Sequence, residues 1–304
     1  MDAGAATKVA VIGLGSMGLG IAECLVRGGF TVSGCDLSGD LVARLVAAGG
    51  TGAANPVEAL RGADVVLTVV VTGAQTEAVL FGDGAIAAMR PGGVVVSSAT
   101  MAPALARQIG RRATAAGVLY LDAPMSGGAA RAAAGELTFM ASGSAAAFDR
   151  ARPVLGAIAQ TVYELGDEPG VGASFKMVNQ LLAGVHIAAA CEAITLAKRL
   201  ELDIAKVYEV ITKSAGNSWM FENRIPHVLA GDYSPRSAVN IFTKDLGIVG
   251  DIGREQVFPM PIAASALQMF TMAAAAGMGG DDDASVARLI AQITGLKLPG
   301  MEAE

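Results

Sequence analysis

Charge is scarce in this chain, and basic residues are outnumbered, 22 Lys and Arg against 28 Asp and Glu. Asp, Glu, Lys and Arg make up 16% of the 304 residues, and the net charge of -6 leaves no cationic surplus to neutralise phosphates, so no nucleic-acid partner is expected. Cysteine is almost missing. Cys24, Cys35 and Cys191 stand far apart, with no CxxC or Cys/His cluster, and read as reduced core thiols of a cytoplasmic protein without a metal site. Histidine occurs only as His186 and His227, each read as a buried, hydrogen-bonded side chain. There is no Ser-His-Asp or Cys-His arrangement, paired-carboxylate motif, P-loop lysine or HExxH. Residues 1–7 lack the basic and apolar regions of a signal peptide. The longest apolar run is broken by His186 and Glu192, so no segment reads as bilayer-spanning and no membrane partner is expected.

Apolar residues, by contrast, reach 53%, which argues for a compact globular protein, and 304 residues suffice for two domains with filled cores. The N-terminal half alternates strands and helices. Residues 8–12 form a β-rich run, followed at once by Gly13, Leu14, Gly15, Ser16, Met17 and Gly18 and then by a helical pattern. In that context GxGxxG has a physical meaning: Gly13 permits a tight turn, Gly15 lets backbone approach a pyrophosphate, and Gly18 lets helix and strand pack closely. A second strand over 30–35 ends in Asp36, an acidic group suited to the ribose hydroxyls and repellent to a 2′-phosphate. With the next arginine only at Arg44, NAD is favoured over NADP.

Further strands are predicted over residues 63–71, 93–98, 118–122, 137–141 and 161–165, with residues 71–75 bordering the cofactor. Thr100 can donate a hydroxyl to cofactor or substrate, or cap the helix that Pro103 begins. Ser126, Gly127 and Gly128 form either an anion nest suited to a carboxylate or a plain turn. Residues 129–136 read as small and mobile. A turn over 166–170 marks the boundary between domains 1–168 and 169–304.

Beyond it, helices are predicted over 174–200, 204–214, 219–229, 241–255, 261–276 and 284–294, an α-bundle without strands. The first is apolar all round and carries Lys176 into its apolar surface, where desolvation lowers an ammonium pKa toward neutral. Asn179 follows one turn along the same face. Oxidation of an alcohol by a nicotinamide cofactor needs a group to take the hydroxyl proton, and Lys176 fits best. Lys244 and Asp245 either serve the cofactor or substrate or form a solvated ion pair. Asp281 to Asp283 read as a cap for the last helix.

The motifs GLGSMG (13–18), DAPMSGG (122–128), GELTFMASG (135–143), KMVNQ (176–180) and KD (244–245) occur in that order. Over nearly its full length the chain resembles the β-hydroxyacid dehydrogenase family, which includes the 3-hydroxyisobutyrate dehydrogenases. The resemblance implies an α/β Rossmann-like N-terminal domain with a mostly parallel sheet, an all-α C-terminal domain and oxidation of a small hydroxy acid; the very apolar helical half suggests that this substrate domain also serves oligomerisation, as a homodimer or homotetramer. It implies Lys176 as catalytic acid/base, Asn179 orienting the substrate, Ser126, Gly127 and Gly128 holding its carboxylate, and Thr100 and Lys244 at cofactor or substrate positions. The related 6-phosphogluconate dehydrogenases carry His-Asn where Asn179 and Gln180 stand, which argues against a sugar phosphate. Residues 215–224, 231–233 and 237–239, the last before Phe242, look like the L-threonate dehydrogenase branch, implying oxidation of a four-carbon sugar acid at C2. 3-Hydroxyisobutyrate, tartronate semialdehyde or glycerate chemistry is the alternative within the family. An imine-reducing relative is disfavoured by the retained lysine, and a nonenzymatic NAD-binding module is the alternative outside the family.

Overall fold

The structure is a computed structural model that describes residues 7–301; the N-terminal reading therefore falls, but for Thr7, on residues outside those described. The chain packs into two compact units, residues 1–176 and 177–304.

The first unit is built on a six-stranded parallel sheet: β1 (Lys8–Ile12), β2 (Thr31–Cys35), β3 (Thr51–Gly52), β4 (Val65–Thr68), β5 (Val94–Ser97) and β6 (Leu119–Asp122), in spatial order β3-β2-β1-β4-β5-β6. That is the dinucleotide-fold order, with the reversal beside β1. Alternation along β1 explains why both faces are covered. Val9 and Val11 join one apolar cluster and Ala10 and Ile12 another, so the sheet carries a core on each side. Around it lie α1 (Gly18–Arg27), α2 (Gly39–Ala47), α3 (Pro56–Leu60), α4 (Gly73–Phe81) and α5 (Pro103–Ala115). A second sheet joins β7 (Met125–Ser126), β8 (Leu137–Ala141) and β9 (Ala159–Glu164), with α6 (Gly128–Ala134) and α7 (Ala145–Ile158) between them.

Two expectations are corrected here. The segment read as small and mobile is largely α6. Its alanines are strong helix formers, and their small size lets α1 approach so closely that a Cβ on Gly20 would lie 2.8 Å from the Ala133 nitrogen. The second concerns membrane-length runs. Helix α8 (Val171–Arg199) and the helical stretch Pro261–Met278 both have the length and hydropathy to cross a bilayer, because single polar residues such as His186 and Glu192 barely lower an 18-residue mean. Length and hydropathy also fit a core helix, and 56% of the apolar window of α8 is buried within the protein.

The second unit is helical. The larger part of α8 lies in it, with α9 (Ile204–Ile211), α10 (Trp219–Ala230), α11 (Val239–Glu255), α12 (Pro261–Ala273) and α13 (Val286–Ile293). Its core gathers Ile187, Cys191 and Ile194 of α8 with Phe242, Leu246 and Phe270. Asp282 accepts from the Ala284 N–H and so caps the short turn leading into α13, as the acidic run suggested. His227, in the last turn of α10, is buried against Asp282 with Nδ1 to Oδ1 at 2.9 Å. His186, read as buried, is only half-buried.

Candidate active site

The turn after β1 is dictated by backbone crowding. Gly13 has φ +91°, donates its N–H to the Cys35 carbonyl at 2.9 Å, and would place a Cβ 2.6 Å from the Val69 oxygen. A Cβ on Gly18 would lie 1.8 Å from the Gly13 oxygen. The protein's own packing therefore demands both glycines. Gly15 differs: a Cβ there would meet nothing within 4 Å, so this glycine opens space beside the backbone instead of relieving a clash. Open backbone at the start of a helix is what a pyrophosphate requires, and the loop fits a dinucleotide on that ground.

Ser16 is exposed and Met17 half-exposed on the same turn, whereas the Leu14 side chain is fully buried in the core. Leu14 thus serves the loop through its backbone, donating its N–H to Asp36 Oδ2 at 2.6 Å. The other carboxylate oxygen of Asp36 accepts from Ser38 N at 2.8 Å. Asp36 braces the loop, and its remaining lone pairs can still accept from ribose hydroxyls. In the segment read as a cofactor border, Gln75 closes a capping box with Thr72 at the start of α4. Thr100 is half-buried before α5, whose N-cap is Ala102, so it does not cap that helix.

A second group of residues lies where β6 and β7 meet the first turn of α8. Asp122 is buried, and its Oδ2 accepts from both Gly170 N and Ala173 N at 2.8 Å. Ser142 Oγ accepts from Gly172 N at 2.9 Å. One turn on, Lys176 is 7% exposed and its Nζ donates to the Met125 carbonyl at 2.8 Å. The next residues, Ser126, Gly127 and Gly128, turn the chain from β7 into α6. Gly127 (φ +141°) and Gly128 (φ +74°) both take conformations that favour glycine, and a Cβ on Gly128 would meet nothing within 4 Å.

Burial pushes the Asp122 carboxyl up to about 6, although the two backbone N–H groups hold it down. A carboxyl raised in the folded state stabilises fully below its ordinary value near 3.8, and that contribution fades as pH rises through about 6. Asp122→Asn should therefore gain roughly 3 kcal/mol on the wild type between pH 3 and pH 7, from a shift of about two pH units. Paired denaturant titrations across that range would show it, and a pH-independent difference would contradict it.

In the helical unit, Asn179 is half-buried and its Nδ2 donates to Gln180 Oε1 at 2.9 Å. Gln180 Nε2 donates to Asp245 Oδ2, and Lys244 Nζ is paired with Asp245 Oδ1. Asp245 is 1% exposed and the Lys244 side chain 20%, so the solvated-pair reading does not describe them. Asn179, Gln180, Asp245 and Lys244 instead form one partly buried polar chain. Sequence reasoning placed Asp122, Met125 and Ser142 inside family motifs but gave them no role, and named Gln180 only within a motif and as a family difference.

Residues 8–166 match a family model described as the NAD binding domain of 6-phosphogluconate dehydrogenase, and residues 170–290 one described as NAD-binding of NADP-dependent 3-hydroxyisobutyrate dehydrogenase. An L-threonate dehydrogenase of Cupriavidus necator is 55% identical over 294 residues, covering 96% of this chain and 98% of the relative. The chain belongs to the β-hydroxyacid dehydrogenase family. A family member named L-threonate dehydrogenase from Escherichia coli is 47% identical over the full length of both chains. A crystal structure of a Salmonella typhimurium protein described as 3-hydroxyisobutyrate dehydrogenase superposes with a TM-score of 0.90 at 49% identity, covering 93% of this chain and 99% of that one. As a β-hydroxyacid dehydrogenase, the chain is an NAD(P)-dependent enzyme acting on the CH–OH group of a small hydroxy acid.

Proposed function

We propose that this enzyme oxidises the C2 hydroxyl of L-threonate to the 2-oxo acid, 2-dehydro-L-erythronate, with NAD as hydride acceptor and Lys176 as general acid/base. The observation that carries the site is the buried Lys176 amine held at the Met125 carbonyl, next to Ser126, Gly127 and Gly128. The substrate rests on identity to relatives named L-threonate dehydrogenase, 55% and 47% over nearly whole chains.

When bound, NAD supplies the electron-pair acceptor for the hydrogen leaving C2. Lys176 in its neutral form takes the hydroxyl proton, so C2 becomes a carbonyl carbon as one hydride leaves C2 and one proton leaves its oxygen. Ser126 and the backbone of Gly127 and Gly128 hold the substrate carboxylate, and Asn179, one turn along α8 from Lys176, orients the hydroxyls. Gly13, Leu14, Gly15, Ser16, Met17 and Gly18 hold the pyrophosphate, Asp36 the adenosine ribose, and Thr100 and Lys244 contact the cofactor. Asp36 and the fully exposed Leu37 beside it offer no cation to a 2′-phosphate, which supports NAD over NADP.

Rates of NADH formation with L-threonate, D-threonate, 3-hydroxyisobutyrate and glycerate, with NAD and NADP in parallel, test the reading. L-Threonate with NAD is expected to give the highest kcat/KM. A preference for 3-hydroxyisobutyrate, the substrate named for the Salmonella protein, would replace the substrate assignment and leave the chemistry standing. NAD binding without reduction by any hydroxy acid would favour a nonenzymatic NAD-binding module. Three free, buried cysteines suit the cytoplasm. The stretch Pro261–Met278, only 28% buried and exposing Ile262 and Met272, supports a homodimer or homotetramer, which light scattering would report.

A further inference from the structure

Helix α8 is preceded by Gly170, which has no side chain to accept from the first turn. The residues before it are Asp167, Glu168, Pro169 and Gly170, and the N–H groups of its first turn must find acceptors elsewhere. They find them far away in sequence. Gly170 N and Ala173 N reach one oxygen of Asp122, 48 and 51 residues distant, and Gly172 N reaches Ser142 Oγ, 30 residues distant. Asp122 and Ser142 are themselves locked together by a two-way backbone bridge, each N–H donating to the other's carbonyl at 3.0 and 2.8 Å. The contact is as close as backbone allows: a Cβ on Gly172 would lie 2.3 Å from the Met140 oxygen and 2.8 Å from the Asp122 oxygen. A carboxylate also suits the positive end of the helix dipole.

The geometry has a second tie three residues further along both segments. Asp122 holds Ala173, and Met125 holds Lys176 through its carbonyl. One four-residue stretch therefore fixes the first turn of α8 at its backbone and at the amine. We infer that Asp122 and Ser142 are positioning residues: they clamp the start of α8 so that the Lys176 amine is set against the Met125 carbonyl beside Ser126, Gly127 and Gly128. The inference rests on Lys176 being the acid/base. Neither clamp residue touches substrate or cofactor in this role. Both act through the helix, and a general base displaced by about 1 Å can lose roughly 10²-fold in rate.

Because both N–H groups go to one oxygen, asparagine can supply the whole acceptor set and alanine none. The test measures kcat per NADH-binding site, counted by fluorescence titration, so that loss of folded protein does not register as loss of rate. Asp122→Ala is expected to lower kcat about 10²-fold and Ser142→Ala about tenfold, with NADH affinity within about twofold of the wild type. Asp122→Asn should stay within about threefold, the rescue that a general packing role would not produce. If Asp122→Ala yields no folded protein, Ser142→Ala and Asp122→Asn decide. Wild-type kcat in Ser142→Ala, or a loss in Asp122→Asn as deep as in Asp122→Ala, overturns the clamp. Lys176→Ala is measured alongside. If it turns over normally, the acid/base assignment itself has failed; if it is dead while the clamp variants are unimpaired, only the clamp has failed.

Discussion

Lys176→Ala should lower kcat by about 10³-fold while leaving NADH affinity within about twofold of the wild type, since a positioned acid/base contributes roughly 10²–10⁴-fold. The split follows from where the residue sits. Lys176 is on α8 and bonded to the Met125 carbonyl, whereas the cofactor loop is held by contacts of its own, Gly13 to Cys35 and Leu14 to Asp36. Lys176→Met separates chemistry from packing, because it keeps the stem and loses the amine; its kcat should fall as far as that of the alanine variant. Added primary amines should restore part of the rate to Lys176→Ala and none to the wild type. Turnover near wild type in both variants would remove Lys176 from the mechanism.

Asp283→Ala should destabilise the helical unit by about 3–5 kcal/mol, the usual cost of leaving a buried charge without its partner. Arg224 of α10 sends Nε and Nη2 to the two oxygens of Asp283 at 2.6 and 3.1 Å, with side chains only 11% and 0% exposed. Burial raises the Asp283 carboxyl despite the facing guanidinium, so much of the attraction is consumed by desolvation. Removing Asp283 strands the guanidinium, whereas replacing both partners with apolar residues should recover most of the loss. Hydrogen exchange over residues 177–301 reads the effect within that unit, and protection unchanged by Asp283→Ala would contradict it. Asp282 beside it holds His227, Arg236 N and Ala284 N, so the acidic run read as a helix cap also ties α10 and the segment before α11 to that cap.

What could be read in the sequence is what local backbone and periodicity impose. Gly13 and Gly18 are demanded by clashes between the loop and its own neighbours, and their spacing is visible as a motif. The ends of α10 and α11 follow from apolar periodicity and lie within two residues of the reading. Lys176 stood out because a lone charge in an apolar helix needs a reason. Long-range bonds leave no such trace. Nothing near Met125 marks its carbonyl as the acceptor for an amine 51 residues on, and Asp122 reads as a strand end, not as the cap of a distant helix. Helix α6 was illegible for a different reason: seven Gly, Ala and Arg residues carry no hydrophobic period, and their helix propensity shows only where α1 docks closely against them.

The sequence motifs and Lys176 do not distinguish which carbon loses hydrogen, and one isotope experiment does. L-Threonate carrying deuterium at C2, and separately at C3, is incubated with the enzyme and NAD, and the NADH formed is weighed by mass spectrometry. Deuterium should appear in NADH from the C2-labelled acid alone, with a slowed kcat/KM and a 2-oxo acid as the organic product. Label transferred from C3, or unlabelled NADH from both acids, would contradict oxidation at C2 by the Lys176 site.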